Sequence, residues 1–210
     1  MLKKAKLYKR AMDLILASLF VLVFSPVYII TMLIIFLQDR GSPFYSQERV
    51  GLNNTHFMFY KFRSMVINAD EILFNDPKLY KQARSGEHKI KDDPRITKFG
   101  KFIRKYSIDE FPQMFNVLKG DMSFVGPRAL RPDEYKMYAS KSKNNARNLR
   151  HLTSVKPGIT GHWQVNGRSN VDFDNRIKMD CYYADHTSLL FDIKIIIKTP
   201  IAVIKGDGAY

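Results

Sequence analysis

Leu14-Ile-Leu-Ala-Ser-Leu-Phe-Val-Leu-Val-Phe-Ser-Pro-Val-Tyr-Ile-Ile-Thr-Met-Leu-Ile-Ile-Phe-Leu-Gln38 is a run without a single charged residue, which is the composition of a membrane segment. A straight helix over it would reach about 37 Å at ~1.5 Å per residue, enough to cross a hydrocarbon core of roughly 30 Å. Lys3, Lys4, Lys6, Lys9 and Arg10 in front of it resemble the basic start of a signal peptide, but the run is too long for one and no small-x-small cleavage site comes after it. The proline of Ser25-Pro26 interrupts the run near its middle. It removes the amide that would bond the Leu22 carbonyl, and the Ser25 hydroxyl can take that carbonyl over.

Two arrangements satisfy this pattern, a kinked spanning helix and a hairpin that leaves by the face it entered. Basic residues flank both sides, with Arg40, Arg49, Lys61 and Arg63 beyond the run, so a single crossing strands one basic flank on the wrong side. A re-entrant hairpin keeps both in the cytosol and is the preferred expectation. The chain then divides into residues 1–40, a membrane hairpin with a basic N-terminus, and residues 41–210, a cytosolic domain. The expected fold class is α+β and mainly helical, with short strands and interfacial amphipathic helices.

The 210 residues carry 34 Lys and Arg against 20 Asp and Glu, a formal net charge of +14, which points to polyanionic partners: nucleic acid, anionic lipid or phosphorylated small molecules. The single cysteine, Cys181, excludes an internal disulfide framework and reads as a packed small side chain.

Downstream, Pro43 to Gly51 reads as a short strand, and His56 to Met65 as its hairpin partner with Lys61 and Arg63 on the polar face. These cations either blunt a strand edge or bind phosphate. Residues 66–95 fit a helix and then a loop around Ser85-Gly86. In Ile96 to Tyr106, Phe99, Phe102 and Ile103 share a helical face among cations, and Arg104 is the one nearest the next motif.

Ser107-Ile-Asp-Glu110 fits a capping box, with Ser107 as N-cap and Glu110 three residues on, and Lys119-Gly120 fits a helix end. A cap does not account for the segment Asp121-Met-Ser-Phe-Val-Gly-Pro-Arg128, where a sharp turn presents an arginine. A carboxylate that attacks phosphorus needs a bound cation and positive groups on the phosphate oxygens; Asp109, Glu110 and Arg128 could supply these. In Lys156 to Ser169, Gln164, Asn166 and Arg168 alternate, so a short strand would place them on one face as a small-molecule grip; an ordinary glycine-rich hairpin with a packed Trp163 is the alternative. Beyond Ser188 the apolar residues are interrupted by Lys194, Lys198 and Lys205, which suits a helix lying in the headgroup region, bent or divided at Pro200.

Taken in order, these pieces resemble the bacterial sugar transferase family of monotopic polyprenyl-phosphate phosphoglycosyl transferases. The match runs over nearly the whole chain: the Ser25-Pro26 hairpin, Gln47 to Gly51, Tyr60-Lys-Phe-Arg-Ser-Met65, Ser107 to Arg128, Pro157 to Arg168, and the spacing of Asp180, Tyr183, Ser188, Asp192 and Thr199. Without the extra N-terminal helices of larger members, the chain looks like the minimal catalytic form.

The resemblance implies transfer of sugar-1-phosphate from a UDP-sugar to undecaprenyl or another polyprenyl phosphate, releasing UMP, as the first membrane step of exopolysaccharide, capsule or O-antigen synthesis. It implies Asp109 as nucleophile and Glu110 as a magnesium ligand. Lys61, Arg104 and Arg128, with Arg63 adjacent, would lie near phosphates, and Gln164, Asn166 and Arg168 near the nucleotide. It further implies a monotopic protein of the bacterial inner membrane facing the cytoplasm, held also by anionic membrane lipid, with no nucleic-acid partner and with a homodimer compatible. Ala129 departs from the family's second proline after the arginine. The tail Gly206 to Tyr210 is similar to that of members using UDP-hexoses such as galactose or glucose, which leaves N-acetylated donors open. The alternative of another class is a membrane-anchored basic polyanion-binding protein in which Asp109-Glu110 is only a cap.

Overall fold

The computed structural model describes residues 2–84, 90, 92–167 and 171–204. In chain order the elements are α1 (Leu2–Val23), α2 (Ser25–Asp39), β1 (Phe44–Val50), β2 (His56–Phe62), α3 (Ala69–Asn75), α4 (Pro77–Arg84), α5 (Lys98–Lys105), α6 (Gln113–Lys119), β3 (Ser123–Val125), α7 (Pro132–Lys141), α8 (Lys143–Leu152), β4 (Gly158–Thr160), α9 (His162–Asn166), α10 (Phe173–Asp185) and α11 (Leu189–Ile204). Helices dominate and the strands form two two-stranded sheets, β1 with β2 and β3 with β4, so the protein is a mainly helical α+β fold.

The break between α1 and α2 stems from Pro26. The Leu22 carbonyl, denied an amide partner, accepts the Ser25 hydroxyl at 2.8 Å, and the two helices are bent by 60°. No single helix among the described residues is long and apolar enough to cross a membrane; the bent pair Lys6–Val23 and Ser25–Asp39 reaches that length and composition together.

The chain clusters into two compact units. Among the described residues, the first comprises residues 2–25, Ser46–Tyr60 and residues 112–204; the second comprises Pro26–Tyr45 and Lys61–Phe111.

In the first unit, the N-terminal half of α1 is tied into the folded body by polar contacts. Lys9 donates to the fully buried Asp192 at 2.6 Å, Arg10 donates to the carbonyls of Val117 and Leu118 at the end of α6, and buried Asp13 accepts from the Ser123 hydroxyl and the Phe124 amide. Ala17 completes a core with Phe59, Met114, Val117, Met122 and Ala129. The helix therefore begins within the folded domain, and Leu19, Leu22 and Val23 emerge from it exposed.

The short sheet β3–β4 is parallel, Ser123 facing Gly158 and Val125 facing Thr160, with α7 and α8 forming the crossover that a parallel pair requires. Gly126 and Gly158 are glycines because their backbones touch: a Cβ at either would strike the other strand. Leu130, Tyr138, Leu149, Leu152 and Ile177 fill a second core between α7, α8 and α10, against which Cys181 packs. Burial pushes the Cys181 thiol up to about 11, in keeping with a packed, inert side chain. Of the two outcomes expected at Pro200, a bend or a division, division does not occur: α11 runs through it to Ile204. It buries Asp192 and Ile195 and exposes Leu190, Ile193, Ile197 and Ile201 along one stripe.

In the second unit α2 buries Tyr28, Thr31 and Ile35 and exposes Ile29, Ile30, Leu33, Phe36 and Leu37. Tyr28 lies edge-on to Phe62 at 5.5 Å, and its hydroxyl donates to the carbonyl of Phe111. Thr97 caps α5 by accepting from the Gly100 amide, and Gly100 is a glycine because a Cβ there would strike the Ser64 carbonyl.

Candidate active site

The second unit brings Lys61, Arg104, Asp109 and Glu110 together. Lys61 is the penultimate residue of β2, and its ammonium lies 2.8 Å from Glu110 Oε1 and 3.5 Å from Asp109 Oδ2. Arg104, on the last turn of α5, donates from Nε to the Ser64 hydroxyl at 2.8 Å.

Ser107 is not the cap its sequence suggests. Its backbone is left-handed, with φ 57°, and its side chain makes no capping bond; Ile108–Glu110 form a single 3-10 turn, and α6 starts only after Pro112. Glu110 reaches Lys61 instead of folding back on the Ser107 amide, so the acid pair stands on a tight turn between two helices. Gly120 closes α6 in the left-handed conformation, as the sequence suggested.

Asp109 is 6% exposed, and that burial raises its carboxyl above the usual range; Glu110 adds to the effect, while Lys61 and Arg104 oppose it. The outcome is a desolvated carboxylate flanked by two cations, an environment suited to a nucleophile that must meet an anionic electrophile. Among the described residues no group of three or more His, Cys, Asp or Glu is placed to hold a metal. Magnesium, however, is commonly held by one or two carboxylates with substrate phosphates and waters, and the pair Asp109 and Glu110 fits that donor pattern.

Arg63 is not part of this group. Its guanidinium forks onto Asp39 at 2.5 and 2.6 Å and donates to the Ser42 carbonyl, closing the end of α2, and the bond holds the Asp39 carboxyl low. The fork geometry explains why two cations two positions apart in sequence have different uses.

The remaining candidates belong to the first unit. Arg128 comes after the Gly126-Pro127 turn, its amide donating to buried Asp180 at 3.3 Å and its guanidinium lying 5.8 Å from the Trp163 ring centre. Gln164 and Asn166 do not share a strand face as alternation suggested, because the segment is helix α9, where residues two apart point to different sides. Gln164 donates to the Ile159 carbonyl and Asn166 to the His162 carbonyl, both within their own segment. Arg168 lies outside the described residues.

Sequence reading missed two buried constellations. One joins Lys9, Tyr183 and Asp192, in which the Tyr183 hydroxyl donates to Asp192 at 2.6 Å; the other places Arg176 beside Trp163. The Asp180, Tyr183 and Asp192 spacing hinted at the first, whereas nothing around Arg176 marked it.

The family model described as bacterial sugar transferase matches residues 4–206. The undecaprenyl-phosphate galactose phosphotransferase of Salmonella typhimurium is 41% identical over 99% of this chain and 43% of its own length. The galactosyl transferase CpsE of Streptococcus agalactiae is 50% identical over 82% of this chain and 37% of its own. The exopolysaccharide production protein ExoY of Rhizobium meliloti is 38% identical over 96% of this chain and 88% of its own. The chain thus spans less than half of the first two relatives and most of the third. With the match running from the first helix through the last, the chain belongs to the bacterial sugar transferase family.

Proposed function

We propose that this chain transfers sugar-1-phosphate from a UDP-sugar to undecaprenyl or a related polyprenyl phosphate, as the names of its relatives suggest. The observation that carries the reading is the buried Asp109 paired with Lys61 and within the electrostatic reach of Arg104, in a unit whose α2 exposes an apolar face. An enzyme joining a soluble anion to a lipid anion needs both features.

In the first step an Asp109 carboxylate oxygen attacks the sugar-bearing phosphorus; the bond from that phosphorus to the bridging oxygen breaks, and UMP leaves with that oxygen. In the second, a polyprenyl phosphate oxygen attacks the same phosphorus and Asp109 is released. Lys61 and Arg104 hold positive charge where oxygens gain negative charge. Glu110 would help hold magnesium, which when bound neutralises phosphate charge and so lets an anionic nucleophile approach. Arg128 is assigned to the phosphates as well. The chain sits in the bacterial inner membrane by a re-entrant α1–α2 hairpin, with the exposed stripe of α11 in the interface and the catalytic groups on the cytoplasmic side.

The test is UMP release from a panel of UDP-sugars, galactose first, by purified protein with magnesium and polyprenyl phosphate. Asp109→Asn should abolish turnover, and the trapped wild-type protein should carry a sugar phosphate on Asp109. Full activity in Asp109→Asn would refute the covalent step.

A further inference from the structure

In the first unit two arginines share one indole. Arg176, one turn into α10, lies 5.0 Å from the Trp163 ring centre and 5.0 Å from that of Phe173, and Arg128 is over the same Trp163. Arg49 and Arg131 pair with Glu134 nearby, at 3.7 and 3.3 Å, and Glu134 and Arg49 act electrostatically on Arg176. Arg131 also meets the exposed Asp133 at 3.4 Å, but around Arg176 itself three guanidiniums, Arg176, Arg128 and Arg49, face two carboxylates, Glu134 and the buried Asp180, an excess of positive charge that burial leaves poorly screened.

Hydrogen bonding around Arg176 is also incomplete. Nε and Nη2 of Arg176 and Nε1 of Trp163 are buried and meet no acceptor. A guanidinium cannot shed its charge, and buried donors are satisfied in the great majority of cases. Asp180 does not supply the acceptor: its Oδ2 takes the Arg128 amide and its Oδ1 is itself without a partner. The two rings beside Arg176 hold its planar fork ready, so the missing partner is an oxyanion with several oxygens.

We infer that Arg176 and Trp163, together with Arg128, form a phosphate-binding site, in which the Arg176 fork and the Trp163 N–H supply donors beyond the Arg128 side chain. This inference rests on the reading of Arg128 as a phosphate ligand. A phosphate meets both deficits, since it brings negative charge to the cationic side and acceptors to the orphaned donors. It can come from the nucleotide or from the prenyl phosphate.

The full chain in detergent micelles is titrated at one pH with UDP, UMP, inorganic phosphate and a short-chain prenyl phosphate, reading affinity by calorimetry and the ligand-induced shift of each variant's own melting temperature. Arg176→Gln should weaken binding of the cognate probe by about tenfold or more and Trp163→Phe by roughly threefold, the losses expected for a charge-assisted and a neutral hydrogen bond. Loss confined to UDP and UMP assigns the site to the nucleotide, loss confined to prenyl phosphate assigns it to the lipid, and loss for both makes it shared. Wild-type affinity for all four probes in both variants overturns the inference. Trp163→Phe carries the test alone if Arg176→Gln does not fold. Binding is read without turnover, so absent UMP release would sink the proposed function and leave this site standing.

Discussion

Asn116 offers a sharp test of how β2 is held. It is fully buried, its Oδ1 accepts the Tyr60 amide at 3.1 Å, and its Nδ2 donates to the Met58 carbonyl at 2.7 Å and lies 3.4 Å from Asp121 Oδ2. One side chain thus satisfies both backbone groups around Phe59, and it does so immediately before Lys61. Asn116→Asp keeps the shape and the acceptor but puts a carboxylate oxygen where the donor was, facing a carbonyl and another carboxylate. Losing that bond and leaving the Met58 carbonyl unpaired costs about 2–3 kcal/mol, and the buried charge adds to it, so roughly 3 kcal/mol is a lower figure. At ~2–4 °C per kcal/mol for a chain of this size, melting should fall by about 6–12 °C at pH 8. The introduced carboxyl would have its folded-state pKa raised, so its penalty grows as pH rises and shrinks on acidification, when the protonated group can again donate to Met58. Asn116→Leu, which lacks both functions, should lose about 2–4 kcal/mol without that pH dependence. Melting monitored by circular dichroism at pH 5 and pH 8 distinguishes the two. If Asn116→Asp melts with the wild type at pH 8, the side chain is not what secures β2.

Lys9→Met should destabilise the protein by about 3–5 kcal/mol, because it strands the buried Asp192 carboxylate, whereas Lys6→Met, at an exposed position, should change stability by no more than about 0.5 kcal/mol. Ser25→Ala removes the hydroxyl that serves the Leu22 carbonyl beside a proline that cannot replace it, and should cost roughly 1 kcal/mol in a thermal melt. Asp180 is pushed up to about 7 by burial, against the attraction of Arg176 and Arg128. Because the folded state disfavours its charge, its contribution to stability falls as pH rises from the ordinary carboxylate range through about 7. Asp180→Asn should therefore gain on the wild type between pH 5 and pH 8; a constant difference across that interval would refute the assignment.

The elements most legible in the sequence were those set by local chemistry. Ser25-Pro26 implied both the break and its repair by the serine hydroxyl, Gly120 implied the end of α6, and His56 to Met65 implied the strand that carries Lys61. Local rules failed where a distant partner outbid them. Glu110 had a legitimate capping role within its own turn, but Lys61, far away in sequence, offered it an ion pair. Gln164 and Asn166 alternated like strand residues, yet the extended segment stops at Thr160 and gives way to a short helix. Lys9 and Arg10 looked like the flank of a membrane segment, and their partners lie in α11 and α6, which no window around them contains.

The tie between Lys9 and Asp192 also constrains the order in which the chain can be assembled. The residues that close the first unit are 183 positions apart, so that contact cannot form until nearly all of the described chain has been synthesised. Contacts of such long range also slow the search for the native arrangement. By then the apolar residues of α1 and α2 have long been made, and their best early solvent is lipid. On the membrane placement proposed above, insertion would precede closure of the first unit, and the later elements of that unit would fold onto a helix already inserted.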